Sequence, residues 1–180
     1  MEKYYSSKST HNIHFDNEIW NGACYGMTIN DIKRIFPTGV TPQKIDTYDD
    51  GARVLFELEE FELVNNIFVV SFVFRSEILV RVQLNLKTRN NKVQSEKVFY
   101  SLRQVLTTKY KEEINFNNND MGEDFIHRQI EWKSPNGINI SLLLVVTGTY
   151  LVGHTAGVHL TYSIKKLSDE LNIKKELNKL

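Results

Sequence analysis

One cysteine, Cys24, stands among 180 residues. That excludes an intramolecular disulfide and any thiolate-rich metal centre. No sign of charge is in excess, since Lys+Arg and Asp+Glu both number 22. A protein that holds nucleic acid by neutralising phosphates needs clustered surplus Lys and Arg, and an acidic mimic of DNA needs the reverse. Long apolar runs are also missing. The longest, around Ser141 to Val146, is strand-sized, far short of the ~20 residues that span a bilayer. The amino end, MEKYYSSKSTHNIHF, lacks the apolar core of a signal peptide. A cytoplasmic protein without membrane insertion is expected. A periplasmic or exported one fits if a signal peptide was removed.

What is there is ordinary for a globular chain: 41% hydrophobic and 24% charged residues. The length suits one domain, or two small halves sharing a core.

The clearest local signal is WNGACYGMTINDIKRIFP, Trp20 to Pro37. Thr28 is a good N-cap, because its hydroxyl accepts from the free amides of the first turn. Asp31, three residues on, makes an acidic variant of the capping box at the positive helix end. Met27 and Ile32 occupy the two positions of a hydrophobic staple. Gly26 lets the chain turn before the cap. Pro37 stops the helix, since the residue before proline avoids the α region.

Strand patterns follow. Thr41 to Tyr48 contains a proline and reads as an edge strand. Ala52, Val54, Phe56 and Leu58 alternate with Arg53, Leu55 and Glu57. Phe68 to Phe74 is apolar on both faces. Val80, Val82, Leu84 and Leu86 alternate with Arg81, Gln83, Asn85 and Lys87. Val93 to Tyr110 has helical spacing at Val98, Leu102, Val105 and Leu106. Glu113 to Phe116 is a short strand, and Asn117 to Asp124 a loop. In Phe125 to Trp132, Ile126, Ile130 and Trp132 oppose His127, Gln129 and Glu131. Ser134-Pro135-Asn136-Gly137 is a hairpin turn. Ile138 to Val146 is a long strand, Gly148 to Gly157 a loop, and Val158 to Ser163 the last strand.

Helices and strands are segregated, which predicts α+β: an antiparallel sheet of about eight strands with helices on one face. The boundaries read as a polar tail over 1–19, a helix-plus-strands unit over 20–88 and a second over 89–164. An amphipathic helix with Leu167, Leu171 and Leu177 follows over 165–180. The two units repeat in pattern, not residue by residue.

Tyr25-Gly26-Met27-Thr28, with Ile32, Pro37 and Gly39, resembles the start of a repeat in the β-lactamase-inhibitor-protein-like and BamE/SmpA-like group. The resemblance implies tandem helix-plus-strands units with helices on one face of an antiparallel sheet. It also implies a binding role: inhibiting an enzyme with the exposed sheet face, or scaffolding outer-membrane assembly. The second half has no Gly-Met-Thr before Val93.

Catalytic and metal chemistry find little footing. His11 and His14, with Asp16 nearby, could form a ligand pair, but no third strong ligand is fixed beside them. His154 and His159 read as a solvated pair. Cys24 lies before the helix and reads as a small buried residue rather than a nucleophile. The carboxylate pairs Asp49-Asp50, Glu59-Glu60 and Glu112-Glu113 fall at turns or strand ends, where solvated charge is the default. Asn118 to Asp124 does not match the EF-hand spacing. Gly148, Gly153 and Gly157 are too far apart for a phosphate cradle. No metal, cofactor or catalytic residue is expected.

The remaining candidate is the sheet face turned away from the helices. Its expected partner-binding residues are Arg53, Glu57, Arg81, Gln83, Asn85, His127, Gln129, Glu131 and His159, with Asn139, Ser141 and Thr161 beside them. Leu55, Val69, Val73, Leu79, Leu143 and Val145 would form an apolar centre within that polar rim. The sequence therefore predicts a non-catalytic module of inhibitor or immunity type that docks a toxin or enzyme. Two alternatives stay open: a ligand carrier or enzyme with a pocket between sheet and helices, and an assembly scaffold using residues 165–180.

Overall fold

The computed structural model describes residues 17–88, 91–122, 125–149 and 153–164. The tail histidines His11 and His14, Asp16 and the amphipathic stretch 165–180 lie outside them.

Strands β1 (Glu18–Trp20) and β2 (Ala23–Cys24) form a two-stranded ribbon. Asn21 and Gly22 turn it, with φ of 45° and 82°, the primed geometry that matches strand twist. Helix α1 (Ile29–Ile35) starts as the sequence predicts. Thr28 N–H donates to Asp31 Oδ2 at 3.0 Å, and Asp31 N–H donates back to Thr28 Oγ1 at 3.4 Å. The hydrogen bonds from Thr28 hold the Asp31 carboxyl below its usual range. Met27 and Ile32 both pack into the main core.

Strands β3 (Arg53–Leu63), β4 (Asn66–Arg75) and β5 (Ile78–Leu86) form a meander. Its turns, Val64-Asn65 and Ser76-Glu77, again place both central residues at positive φ. Helix α2 (Lys92–Tyr110) is capped by Asn91, whose Oδ1 accepts from Gln94 N–H at 2.9 Å. Gln94 Nε2 then donates to Asn66 Oδ1 at 2.7 Å, tying the helix start to the β3–β4 turn. A second meander follows: β6 (Asn115–Asn118), β7 (Phe125–Lys133), β8 (Ile138–Thr149) and β9 (Gly153–Ile164).

The main sheet runs β3-β4-β5-β9-β8-β7-β6, antiparallel throughout. Among the described residues it has seven strands, not eight. Thr41 to Tyr48 does not form the expected edge strand; nearby Val40 and Thr47 itself make isolated bridges to Glu57 and Arg53. The expected loop from Gly148 is mostly strand, with Gly148 paired to His154 and Val145 to Gly157. Glycine weakens a strand but does not forbid one.

Both helices cover one face. Phe72, Val82, Tyr162, Ile140 and Trp132 pair in sequence across five strands. Val70, Leu84, Leu160, Leu142 and Ile130 form the next row. Ile32 and Phe36 lie on this face from α1, and Val98, Phe99, Leu102 and Leu106 from α2. Phe72 is the aromatic hub: its ring centroid is 5.0 Å from Phe36, 5.8 Å from Phe56 and 6.1 Å from Trp20.

Two bulges correct the alternation read from sequence. Between Val54 and Phe56 the register shifts, so Val54 pairs with Val73 and Phe56 with Phe72. Leu55 then packs against the main core, not on the open face. A second shift between Val73 and Phe74 sets Leu79 opposite Phe74. Leu79 is fully buried in the main core, again off the open face. Val80 instead joins Ala52, Val54 and Val73 in a small second cluster beside Tyr48.

Gly39 sits against the Phe56 ring, where a Cβ would lie 2.2 Å from a ring carbon and 2.9 Å from the Glu57 carbonyl oxygen. Overpacking of this kind costs roughly 1–3 kcal/mol, whereas loss of a single N-cap costs about 1 kcal/mol. Gly39→Ala is therefore expected to lower unfolding free energy in urea more than Thr28→Ala. Equal or smaller loss for Gly39→Ala would contradict this packing.

Candidate functional site

The face opposite the helices carries a row of polar residues across the whole sheet. Glu57 pairs with Ser71, Ser71 with Gln83, Gln83 with Thr161, Thr161 with Ser141, Ser141 with Glu131, and Glu131 with Asn115. The neighbouring row is mixed: Val69, Asn85, His159, Leu143, Gln129 and Asn117. Arg81, Ser163, Asn139 and Lys133 flank the first row on its other side. Side chains alternate faces along a strand, so residues read at one period in sequence meet side by side here.

Within the rows the polar groups bond to each other. Ser71 Oγ donates to Glu57 Oε1 at 2.6 Å. Gln129 Nε2 donates to Glu131 Oε1 at 2.9 Å and to Ser141 Oγ at 3.1 Å. His159 Nδ1 lies 2.7 Å from Asn85 Oδ1. These links hold the side chains in place, so little rotamer entropy remains in them.

One end of the face is strapped. The chain before β3 carries Tyr48 over the sheet, and its hydroxyl donates to Gln83 Oε1. The Arg81 guanidinium lies 4.4 Å from the Tyr48 ring centroid and 3.7 Å from Asp50, which also pairs with Arg75. Burial pushes the Tyr48 phenol up, so it stays a neutral donor. Val73, beneath this strap, is fully buried.

Of the nine residues predicted to bind a partner, the structure brings Glu57, Arg81, Gln83, Asn85, His127, Gln129, Glu131 and His159 onto this face. Arg53 does not join them. It pairs with Phe74, a member of the helix-side core, and its exposed side chain reaches Glu77 at 3.7 Å. The expected apolar centre shrinks to Val69, Leu143 and Val145, because Leu55 and Leu79 turn to the other face and Val73 is covered. Sequence reading missed Tyr48, Ser71 and Asp50. Ser71 lies in a run that is otherwise apolar, and a lone serine opposite Glu57 was its only signal.

His127 pairs with Val145 and borders an open cavity of about 520 Å³ with Asn118, Asp120, Met121 and Phe125. Its Nδ1 is buried without a hydrogen-bond partner among the described residues. A second depression, about 440 Å³, lies between Val145, Thr147, Thr155, Gly157 and His159.

The other sequence candidates have local occupations. Burial pushes the Cys24 thiol up, which keeps it protonated and unreactive at neutral pH. Glu113 receives both Arg103 Nε and Nη2 at 2.8 Å, and these bonds hold its carboxyl low. Glu60 pairs with Lys87 at 3.0 Å. No group of three or more metal-ligating side chains occurs among the described residues. No helix among them is long and apolar enough to cross a membrane.

Gly157 permits the His159 position: a Cβ there would meet His159 Nε2 at 2.9 Å. The ring can swing away, so Gly157→Ala is expected to cost little stability, about 1 kcal/mol or less. It should nevertheless break the bond to Asn85. Imidazole ¹⁵N spectra read this directly: the His159 Nδ1 resonance should move, and an unchanged resonance would count against the geometry.

The chain matches no protein-family model, no curated protein and no solved structure.

Proposed function

We propose that this protein is a non-catalytic binding module of inhibitor or immunity type, acting in the cytoplasm, that docks a toxin or enzyme on the open sheet face. The observation that carries the reading is the polar row from Glu57 to Asn115, which crosses every strand of the sheet beside a row interrupted by Val69 and Leu143. Hydrogen-bonding groups around a small apolar centre suit a specific, non-obligate interface. Gln83, Asn85, His159, Gln129 and Glu131 are the proposed central contacts, with Glu57, Arg81 and His127 at the margin. The element order supports the tandem-unit reading: a helix with three strands, a helix with four, and the closing strands β5 and β9 side by side.

A second reading, a carrier of a small apolar ligand, draws on a cavity of about 440 Å³ beside α2. Its walls include Trp20, Phe61, Leu102, Leu106, Leu160 and Tyr162. That volume lies within the range of ligand pockets, about 300–1,000 Å³. The scaffold reading draws on residues 165–180, outside the described part of the chain.

The two described surfaces are separable. With the protein as bait in a lysate of its host or a competitor, a stoichiometric partner should be retained. Leu143→Glu should weaken that complex at least tenfold, about 1.4 kcal/mol, with the melting temperature nearly unchanged. Leu106→Trp, which fills the helix-side cavity, should leave it intact. Loss of the partner with Leu106→Trp and retention with Leu143→Glu would reverse the assignment.

A further inference from the structure

The two edges of the sheet are treated differently. The outer edge of β3 is covered: Val40 and Glu57 exchange backbone hydrogen bonds of 2.8 and 2.9 Å, and Val54 N–H donates to the Asp46 carbonyl at 3.0 Å. The outer edge of β6 pairs with no described residue, and all four of its residues are exposed. An open edge is a template for another strand, and proteins commonly blunt it with charge, proline, a bulge or a covering segment. The β6 sequence, Asn-Phe-Asn-Asn, has neither charge nor proline. The edge is also longer than the strand. Ile114 N–H donates to Glu131, and Asn119 and Met121 N–H donate to His127 and Phe125.

Apolar exposure collects at this same edge. Ile114 is 61% exposed, Phe116 47%, Met121 71%, and Tyr100 on the adjoining flank of α2 48%. Two arginines tie Phe116 and Tyr100 to this edge on the helix side, while Met121 borders the open-face cavity with His127. Arg103 lies 5.1 Å from the Phe116 centroid while clamping Glu113. Arg128 donates to the Tyr100 hydroxyl at 2.8 Å and pairs with Asp120 at 2.5 Å and Glu96 at 3.5 Å. Both guanidinium groups are thus neutralised by carboxylates of the same edge. Tyr, Phe, Met and Arg are the residues enriched where proteins meet.

We propose that β6 pairs antiparallel with β6 of a second copy of this chain about a two-fold axis, joining two sheets into one. The charge pattern selects a second copy. Self-pairing that keeps each side chain on its own face sets Phe116 opposite Asn118 and Asn117 opposite its own copy, so no like charges face each other across the ladder. A short ladder alone falls below the roughly 1,000 Å² that marks a specific interface, so the exposed Tyr100, Ile114, Phe116 and Met121 would have to pack around it on both sides of the axis.

Sedimentation equilibrium of the whole chain, from low to high micromolar concentration, tests this. The expected result is a reversible dimer whose dissociation constant rises at least about tenfold in Ile114→Lys and in Asn118→Pro, which removes an outward-facing N–H. Ile114→Lys alters only an exposed side chain, so it decides the matter should Asn118→Pro disturb β6 itself. Leu143→Glu, on the open face, should leave the dimer unchanged. A monomer at every concentration, a dimer indifferent to Ile114→Lys, or a dimer lost in Leu143→Glu would each overturn the proposal.

Discussion

The packing of Phe72 against Trp20, Phe36 and Phe56 is the contact on which the rest of the molecule depends. It joins the β1–β2 ribbon, the residue that caps α1, and strands β3 and β4 in one apolar cluster. Phe72 points to the helix side, so its strand neighbours Ser71 and Val73 must point to the other. The register of β4 then sets that of β5, and β5 sets β9. A slip of one residue anywhere in the chain of pairings would turn apolar rows into water and polar rows into the core. One-sided burial therefore fixes, across seven strands, which side chains stay outside the core.

The open face is firm because it is already bonded. Glu57 with Ser71, Gln83 with Tyr48, Asn85 with His159, and Gln129 with Glu131 and Ser141 satisfy many of one another's groups. On the proposed reading, a partner would meet fixed donors and acceptors on a chain of zero formal net charge. That favours selectivity over electrostatic capture, since neutral surfaces gain little from long-range steering. The apolar β6 edge, lying beyond β7, offers a different kind of contact: backbone pairing with side chains packed around it. A face and an edge of one sheet can be occupied together without competing.

Much of this was legible in the sequence where physics is local. The Thr28–Asp31 cap, the Pro37 stop and the alternation of β7 and of β5 from Arg81 onward can each be read from a few adjacent residues, and each holds in the structure. Eight of the nine proposed contact residues share a face for the same reason. The failures are non-local. The bulge beside Leu55 and the shift beside Phe74 exist only because two strands pair, and no single-strand period reveals them. They move Leu55 and Leu79 into the core, set Val54 against Val73, and take Arg53 off the face. Gly148, Gly153 and Gly157 read as a loop because glycine is poor in strands, yet twelve-residue β8 and β9 carry through them. The exposed edge at β6 was hidden too, because edge position is a property of the whole sheet order.

The central claim is that stability resides on one face and the other is left for binding. Its most direct measurement is the unfolding free energy of a chain with the middle of the polar row replaced: Gln83→Ser, Thr161→Ser, Ser141→Ala and Gln129→Ser together. These residues are half-buried on the solvent side of the sheet, where substitutions that leave the core intact typically cost within about 0.5 kcal/mol each, so the combined loss should stay under about 2 kcal/mol. Phe72→Ala alone should cost roughly 3–5 kcal/mol. A row variant destabilised as severely as Phe72→Ala would mean that the open face holds the fold together, and the division of labour between the two faces would be wrong.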